Sequence, residues 1–141
     1  METYNYQIML SEAYNYAHYG RLELALVHVS IACEIAISLH LIKFLKHRNV
    51  SNTKLDDHFD NITYSQTINI HLFSMYDMSE MDNFRNKIGQ IDWARKKRNK
   101  IVHEGGTEKD LSRNAVEEAL DAATDLINFM TTNVAETETP Y

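Results

Sequence analysis

Cysteine, proline and glycine are scarce in this sequence of 141 residues. The single cysteine, Cys33, excludes an intramolecular disulfide and a zinc site built from several cysteines. Because Cys33 lies in an apolar run, we expect it to be a small buried hydrophobic residue. One proline and four glycines leave few helix-breaking residues, which favours long helices.

Targeting signals and cofactor motifs are also missing. The first residues lack the basic and apolar regions of a secretion signal, so we expect a cytoplasmic protein. The most apolar stretch, residues 24–45, is interrupted by polar side chains and does not predict a membrane span. The seven histidines show no spacing typical of metal ligands, so we expect neither a metal nor a cofactor.

Positive charge is low overall but concentrated in one place. The chain has 14 Lys and Arg against 20 Asp and Glu, a net charge of −6, which argues against a generally basic nucleic-acid-binding protein. Residues 85–100, however, hold seven Lys and Arg against one Asp, a local charge of +6. Residues 101–141 hold two basic and nine acidic residues. The acidic total therefore conceals a basic segment.

The apolar pattern predicts an all-α protein, an up-and-down bundle of four long helices with one or two short ones. We expect a single domain over residues 1–134, followed by a disordered tail, residues 135–141. The long helices are predicted at about residues 4–19, 22–47, 80–103 and 107–131. Residues 49–64 are expected to be a loop, with or without a short helix, and residues 65–77 are expected to be helical despite a strand-like alternation.

Four local signals mark the ends of these helices. Gly20 is expected to stop the first helix, and Gly105 with Gly106 to stop the third. Ser79 is expected to N-cap the third helix, and Thr107 to open the fourth with a capping-box pattern. The fourth helix is predicted to face inward with Leu111, Ala115, Leu120, Ala123, Leu126, Ile127 and Met130.

The third long helix carries arginines on its core-facing side. Its apolar stripe is formed by Met81, Phe84, Ile88 and Ile91, and the same spacing continues to Arg95, Arg98 and Val102. An arginine facing a packed surface is costly unless it has a partner. For Arg98 the partner is either Glu34, the only acid in the apolar part of the second helix, or a phosphate or a second subunit.

The segment Arg98-Asn99-Lys100-Ile101-Val102-His103, followed by Glu104-Gly105 and placed on this helix, resembles the HEPN family. The order of a long apolar second helix containing Glu34, the helix with the arginine and histidine, and a closing helix is similar to the same family. The resemblance implies a metal-independent endoribonuclease, commonly a homodimer, with Arg98 and His103 as catalytic residues and Asn99 as their polar companion.

Other side chains of the same two helices are expected to serve this site. Arg95, Lys96 and Lys100 are expected to bind the RNA substrate, and Glu34 to support the site. HEPN toxins have antitoxin proteins as partners, and an antitoxin is therefore an expected partner here. Toxins modified by their antitoxin carry a tyrosine two residues after the histidine, where this chain has Gly105, which argues against regulation by that route.

The chemistry of these side chains fits cleavage of RNA by its own 2′-hydroxyl. Histidine has an ordinary pKa of about 6.5, so His103 suits the acid–base role. Arg98 suits stabilisation of charge on the phosphate. One chain supplies one histidine where the reaction needs a base and an acid, and Arg98 and His103 lie about 140° apart on an ideal helix. Both points favour a site shared by two subunits.

Two other functions stay open from the sequence. The chain could be a non-catalytic HEPN module that binds a nucleotide, RNA or a protein, or a helical interaction protein in which Arg98 only pairs with Glu34. Trp93 lies off the apolar stripe, where it could stack on a base or pack against a loop or a second subunit.

Overall fold

A computed structural model describes residues 5–104 and 111–132, and all regular structure within those ranges is helical. The predicted all-α class is confirmed. The elements are α1 (Asn5–His18), α2 (Leu22–His47), α3 (Asn52–Asn61), α4 (Tyr64–Gln66), a π-helical turn (Thr67–His71), α5 (Leu72–Met75), α6 (Met78–Glu104) and α7 (Arg113–Thr132). The predicted tail and the glycine stop after α6 lie outside the described residues.

Gly20 ends α1 as predicted. It has a φ of +76°, a left-handed conformation that glycine adopts without steric cost. The Gly20 N–H donates to the Ala17 carbonyl at 3.0 Å, and the Arg21 N–H donates to the Tyr16 carbonyl at 2.8 Å. These two bonds form a Schellman motif, which satisfies the last carbonyls of α1 and turns the chain directly into α2.

The apolar helix α2 lies at the centre of the packing. It contacts α1, α6 and α7, and it buries ten residues along one side. On α7 the inward face is formed by Val116, Ala119, Leu120, Ala122, Ala123, Leu126, Ile127 and Met130. Most of the predicted inward residues of α7 are therefore buried, whereas Leu111 and Ala115 are only half-buried.

One predicted helix start is wrong, and another lies outside the described residues. Ser79 lies inside α6, which begins at Met78, and the Asp77 N–H donates to the Glu80 carboxylate as in half of a capping box. Thr107 lies outside the described residues, but Leu111 and Ser112 are not helical, and α7 begins at Arg113. Ser112 caps α7 instead, because its hydroxyl accepts the Ala115 N–H at 3.2 Å.

The segment between α2 and α6 is mostly helical, including residues 65–75 of the strand-like stretch, whereas Tyr76 and Asp77 are not helical. Thr63 and Gln66 form a reciprocal capping box that opens α4. The chain then passes through the π-helical turn, in which Thr67 and Ile68 are buried, and continues into α5. A π turn shifts the helical phase by the equivalent of one extra residue. The alternation of Ile68 and Ile70 therefore reflects a buried and an exposed position of a distorted helix.

By length and composition α2 could cross a membrane, but half of its most apolar window is buried inside the bundle. The core helix of a soluble protein has the same properties. The finding is weak evidence for a membrane, and the cytoplasmic location stays a prediction.

Candidate functional site

Arg98 links the C-terminal half of α6 to the middle of α2. Its Nη1 donates to Glu34 Oε2 at 3.2 Å, and its Nη2 donates to Asn99 Oδ1 at 2.9 Å. The Arg98 side chain is 20% exposed and that of Glu34 is 40% exposed. Of the partners that the sequence left open for Arg98, Glu34 is thus the one present within the chain, at the surface of the bundle rather than in its core. Two of the five N–H donors of the guanidinium are used by these bonds.

Arg95 lies one turn earlier and is held by its own helix. Its Nε donates to Asp92 Oδ1 at 2.7 Å, and both side chains are about 15% exposed. Lys96 reaches the other oxygen of Asp92 at 3.4 Å. Burial alone would raise the pKa of Asp92, but the hydrogen bond and charge of Arg95, with Lys96, hold it below its ordinary value. Arg95 is therefore paired with the ionised carboxylate of Asp92 on its own helix, whereas the side chains of Lys96 and Lys100 are exposed.

His103 lies in the last turn of α6 and is exposed, like its neighbour Val102, which is 61% exposed. The helical phase places the His103 side chain about 140° from that of Arg98. Among the contacts of the described residues none joins the two side chains. The structure thus brings Arg98 together with Glu34 and Asn99, but it leaves His103 on a different face of α6.

Tyr64 is a neighbour of this cluster that sequence reasoning missed. Its hydroxyl is fully buried and has no hydrogen-bond partner. Burial raises the pKa of Tyr64 well above the ordinary value; the neighbouring Cys33 thiol and Glu34 carboxylate raise it further, while Arg98 and Arg95 lower it. The capping-box pattern Thr63-Tyr-Ser-Gln66 could have indicated a helix start here. No local pattern shows that α4 packs beside α2 and α6.

Cys33 is buried, as predicted. Burial raises the pKa of its thiol to about 12, so the group stays protonated at neutral pH. A thiol in that state is a poor nucleophile. Cys33 is therefore part of the packing under Glu34 and not a reactive group of the site.

One side of α2 next to Glu34 is apolar yet incompletely covered. Val27, Ile31, Ile42 and Leu45 lie within about 60° of one another on the helix, and all are half-buried. Glu34 borders this stripe. An amphipathic helix would have polar residues there, so α2 is apolar on more sides than the packing of the described residues uses.

Comparison with protein-family models, with curated proteins and with solved structures finds no match. Among the described residues there is also no group of three or more His, Cys, Asp or Glu side chains that could hold a metal ion.

Proposed function

We propose that this protein is a metal-independent endoribonuclease that acts as a homodimer, with one cleft formed by Arg98, Asn99 and His103 of both subunits. The observation that carries the proposal is the Arg98 guanidinium, which is positioned by Glu34 and Asn99 at the surface of the most basic helix, five residues before an exposed histidine. The resemblance of this segment to the HEPN motif supports the same function, and a role as a toxin or defence effector belongs to it.

The reaction needs three groups at the scissile phosphate. One His103 accepts the proton of the 2′-hydroxyl as its oxygen attacks phosphorus, and the partner subunit's His103 donates a proton to the departing 5′-oxygen. Arg98 stabilises the charge of the pentacoordinate phosphate through its N–H donors. The products are a 2′,3′-cyclic phosphate and a 5′-hydroxyl. Asn99 orients the guanidinium through its side-chain oxygen.

The dimer follows from two features of the molecule. A single chain supplies one histidine and holds it about 140° from Arg98, so a second copy is needed to complete the site. The half-buried stripe of Val27, Ile31, Ile42 and Leu45 adjoins Glu34 and gives such a copy an apolar surface to cover. Two copies related by a two-fold axis would contact each other through the same stripe.

The catalytic part is tested by incubating the purified protein with RNA in EDTA. We expect cleavage in EDTA, a loss of about 10² to 10⁴-fold in rate for His103→Ala, and about 10² to 10³-fold for Arg98→Ala. His18→Ala and Arg85→Ala are the matched controls, because both side chains are exposed and lie on other parts of the bundle. Wild-type rates in the Arg98 and His103 variants would contradict the proposal.

The dimer is tested with Ile31→Glu, which places a charge in the half-buried stripe. We expect wild-type protein to be dimeric by light scattering at micromolar concentration, and the variant to be monomeric, folded and unable to cleave RNA. A monomeric wild-type protein that cleaves RNA would exclude the shared site.

The second candidate is a non-catalytic helical module, and the Arg98–Glu34 ion pair favours it, because Arg98 already has a carboxylate partner within one chain. That protein would bind RNA or a protein without cutting it, or would use the pair only to hold α2 against α6. Wild-type protein that binds RNA but leaves it intact in every buffer would select this candidate.

A further inference from the structure

A groove of about 480 Å³ lies between α6 and α7, away from the Arg98–Glu34 pair. It is lined by Asn86, Gly89, Gln90 and Trp93 of α6 and by Ala115 and Glu118 of α7. The groove combines an indole ring, two side-chain amides and a carboxylate around a position without a side chain. None of these groups takes part in the proposed cleavage chemistry.

Gly89 keeps the groove open. A Cβ atom added to Gly89 would have no neighbour within 4 Å, so the space in front of this residue is empty. Trp93 follows one turn later; it is half-buried and packs against the core. A ring held in this way can offer a stacking surface without losing much side-chain freedom.

Glu118 is the charged group of the groove and lies on its α7 side. Glu118 accepts from Gln90 Nε2 at 3.4 Å and from Asn114 Nδ2 at 3.1 Å. These two bonds fix the carboxylate across the groove. Each carboxylate oxygen can accept more than one hydrogen bond, so Glu118 retains acceptor capacity for a ligand that donates N–H.

The face of α6 that carries Trp93 continues towards the basic end of the helix. Lys97 and Lys100 project from the same face of the helix as Trp93, within about 60° of one another. They lie about 6 and 10 Å further along the axis. Proteins bind single-stranded nucleic acid with aromatic rings that stack on bases and with nearby cations that follow the phosphate backbone, and Trp93 with these two lysines has this arrangement.

We propose that this groove binds one unpaired nucleobase of the RNA substrate, stacked on Trp93 and hydrogen-bonded through its amino group to Glu118. The assignment rests on the proposed function, since it takes RNA as the ligand. A carboxylate only accepts hydrogen bonds, and the exocyclic amino group of adenine, cytosine or guanine can donate to it. Uracil offers only its ring N3–H, which lies between two carbonyl oxygens that repel a carboxylate, so the groove favours the three bases with an amino group over uracil. The backbone then runs past Lys97 and Lys100 towards the cleavage site.

Trp93 is the only tryptophan of the chain, so its fluorescence reports on this groove alone. The probes are 2′-O-methyl RNA pentamers of A, C or U, which bind but cannot be cleaved because the attacking hydroxyl is blocked. We expect the A and C pentamers to quench Trp93 and to bind about tenfold more tightly than the U pentamer. Equal affinity for the three pentamers would overturn the proposal. It would also be overturned if AMP bound as tightly as the A pentamer, because the groove would then be a site for free nucleotides.

Gly89→Leu fills the groove and keeps Trp93 as the reporter. We expect it to weaken binding of the A pentamer by about tenfold or more and to abolish the quenching. Gly89→Ala is the matched control: it adds one methyl group into open space, so binding stays close to wild type and the midpoint of thermal unfolding is no lower. Unchanged quenching and affinity in Gly89→Leu would overturn the proposal.

The two proposals fail in different ways. If Arg98→Ala abolishes cleavage while Gly89→Leu binds and cleaves like wild type, the ribonuclease stands and the groove is excluded as a base site. If Gly89→Leu blocks binding of the A pentamer while wild-type protein cleaves no RNA, the base site stands and the catalytic function is excluded.

Discussion

Replacing Glu34 by glutamine separates a working site from a purely structural ion pair. In the wild-type chain Arg98 Nη1 lies 3.2 Å from Glu34 Oε2. Glutamine keeps the size of the side chain and an oxygen that can accept from Arg98, but it removes the negative charge. If Arg98 binds the scissile phosphate, that charge has two opposed effects. It holds the guanidinium in place, and it repels the phosphate that the guanidinium must bind.

The free energy of each effect can be worked out from the geometry. A carboxylate and a phosphate that touch the same guanidinium are about 6 Å apart, and their repulsion in a dielectric of about 80 is roughly 0.7 kcal/mol. Removing it should tighten RNA binding about threefold. A neutral acceptor holds an arginine less strongly than a charged one, by about 1 kcal/mol. The cleavage rate at saturating RNA should therefore fall about fivefold.

The assay measures three quantities on Glu34→Gln: the Kd for a labelled 2′-O-methyl RNA, the single-turnover cleavage rate, and the urea midpoint. Glu117→Gln is the matched control, since Glu117 also accepts from an arginine, at 3.2 Å, but in an exposed pair on α7. Tighter binding with slower cleavage supports the proposed site. A lower urea midpoint with both RNA quantities unchanged would refute the reasoning and assign the pair to stability alone.

Three further predictions concern stability. Burial, with a smaller effect of Lys43, lowers the pKa of His40 from 6.5 to about 4. Between about pH 6.5 and 4, His40 is therefore protonated in the unfolded chain but not in the folded one. The free energy of unfolding falls as the pH drops through this range. His40→Leu should flatten this dependence in urea midpoints measured between pH 7 and 5, and an unchanged slope would contradict it. Asp92 has a depressed pKa, so its contribution is present at neutral pH and is lost as the pH falls through the folded value. Asp92→Asn should cost about 1 kcal/mol at pH 7, and less at pH 3; equal losses at both values would argue against the ion pair. Gly20→Ala should lower the free energy of unfolding by about 1 kcal/mol, because φ is +76° at this position; an unchanged midpoint would show that the turn relaxes.

The end of α1 and the bounds of α2 were predictable because they depend on neighbours in the chain. Gly20 after a helical pattern predicts a stop wherever the helix packs, and the apolar spacing of residues 22–47 predicts a helix of the observed length. The start of α7 was not predictable in the same way. The capping-box pattern at Thr107 predicts an earlier start than the structure has, where Ser112 caps the helix.

The sequence by itself determined the helical class and the concentration of positive charge on α6, because both depend on residue type and helical spacing. It also made Glu34 a candidate partner of Arg98, because Glu34 is the only acid on the apolar part of α2, with a phosphate or a second subunit as the alternative. Only the tertiary structure decided that Arg98 pairs with Glu34, and which other groups surround the pair. It placed the unpaired hydroxyl of Tyr64 beside Glu34, and it set Glu118 of α7 across a groove from Trp93. These neighbours come from separate helices, and the rotation of one helix against another depends on side-chain packing that no local pattern records.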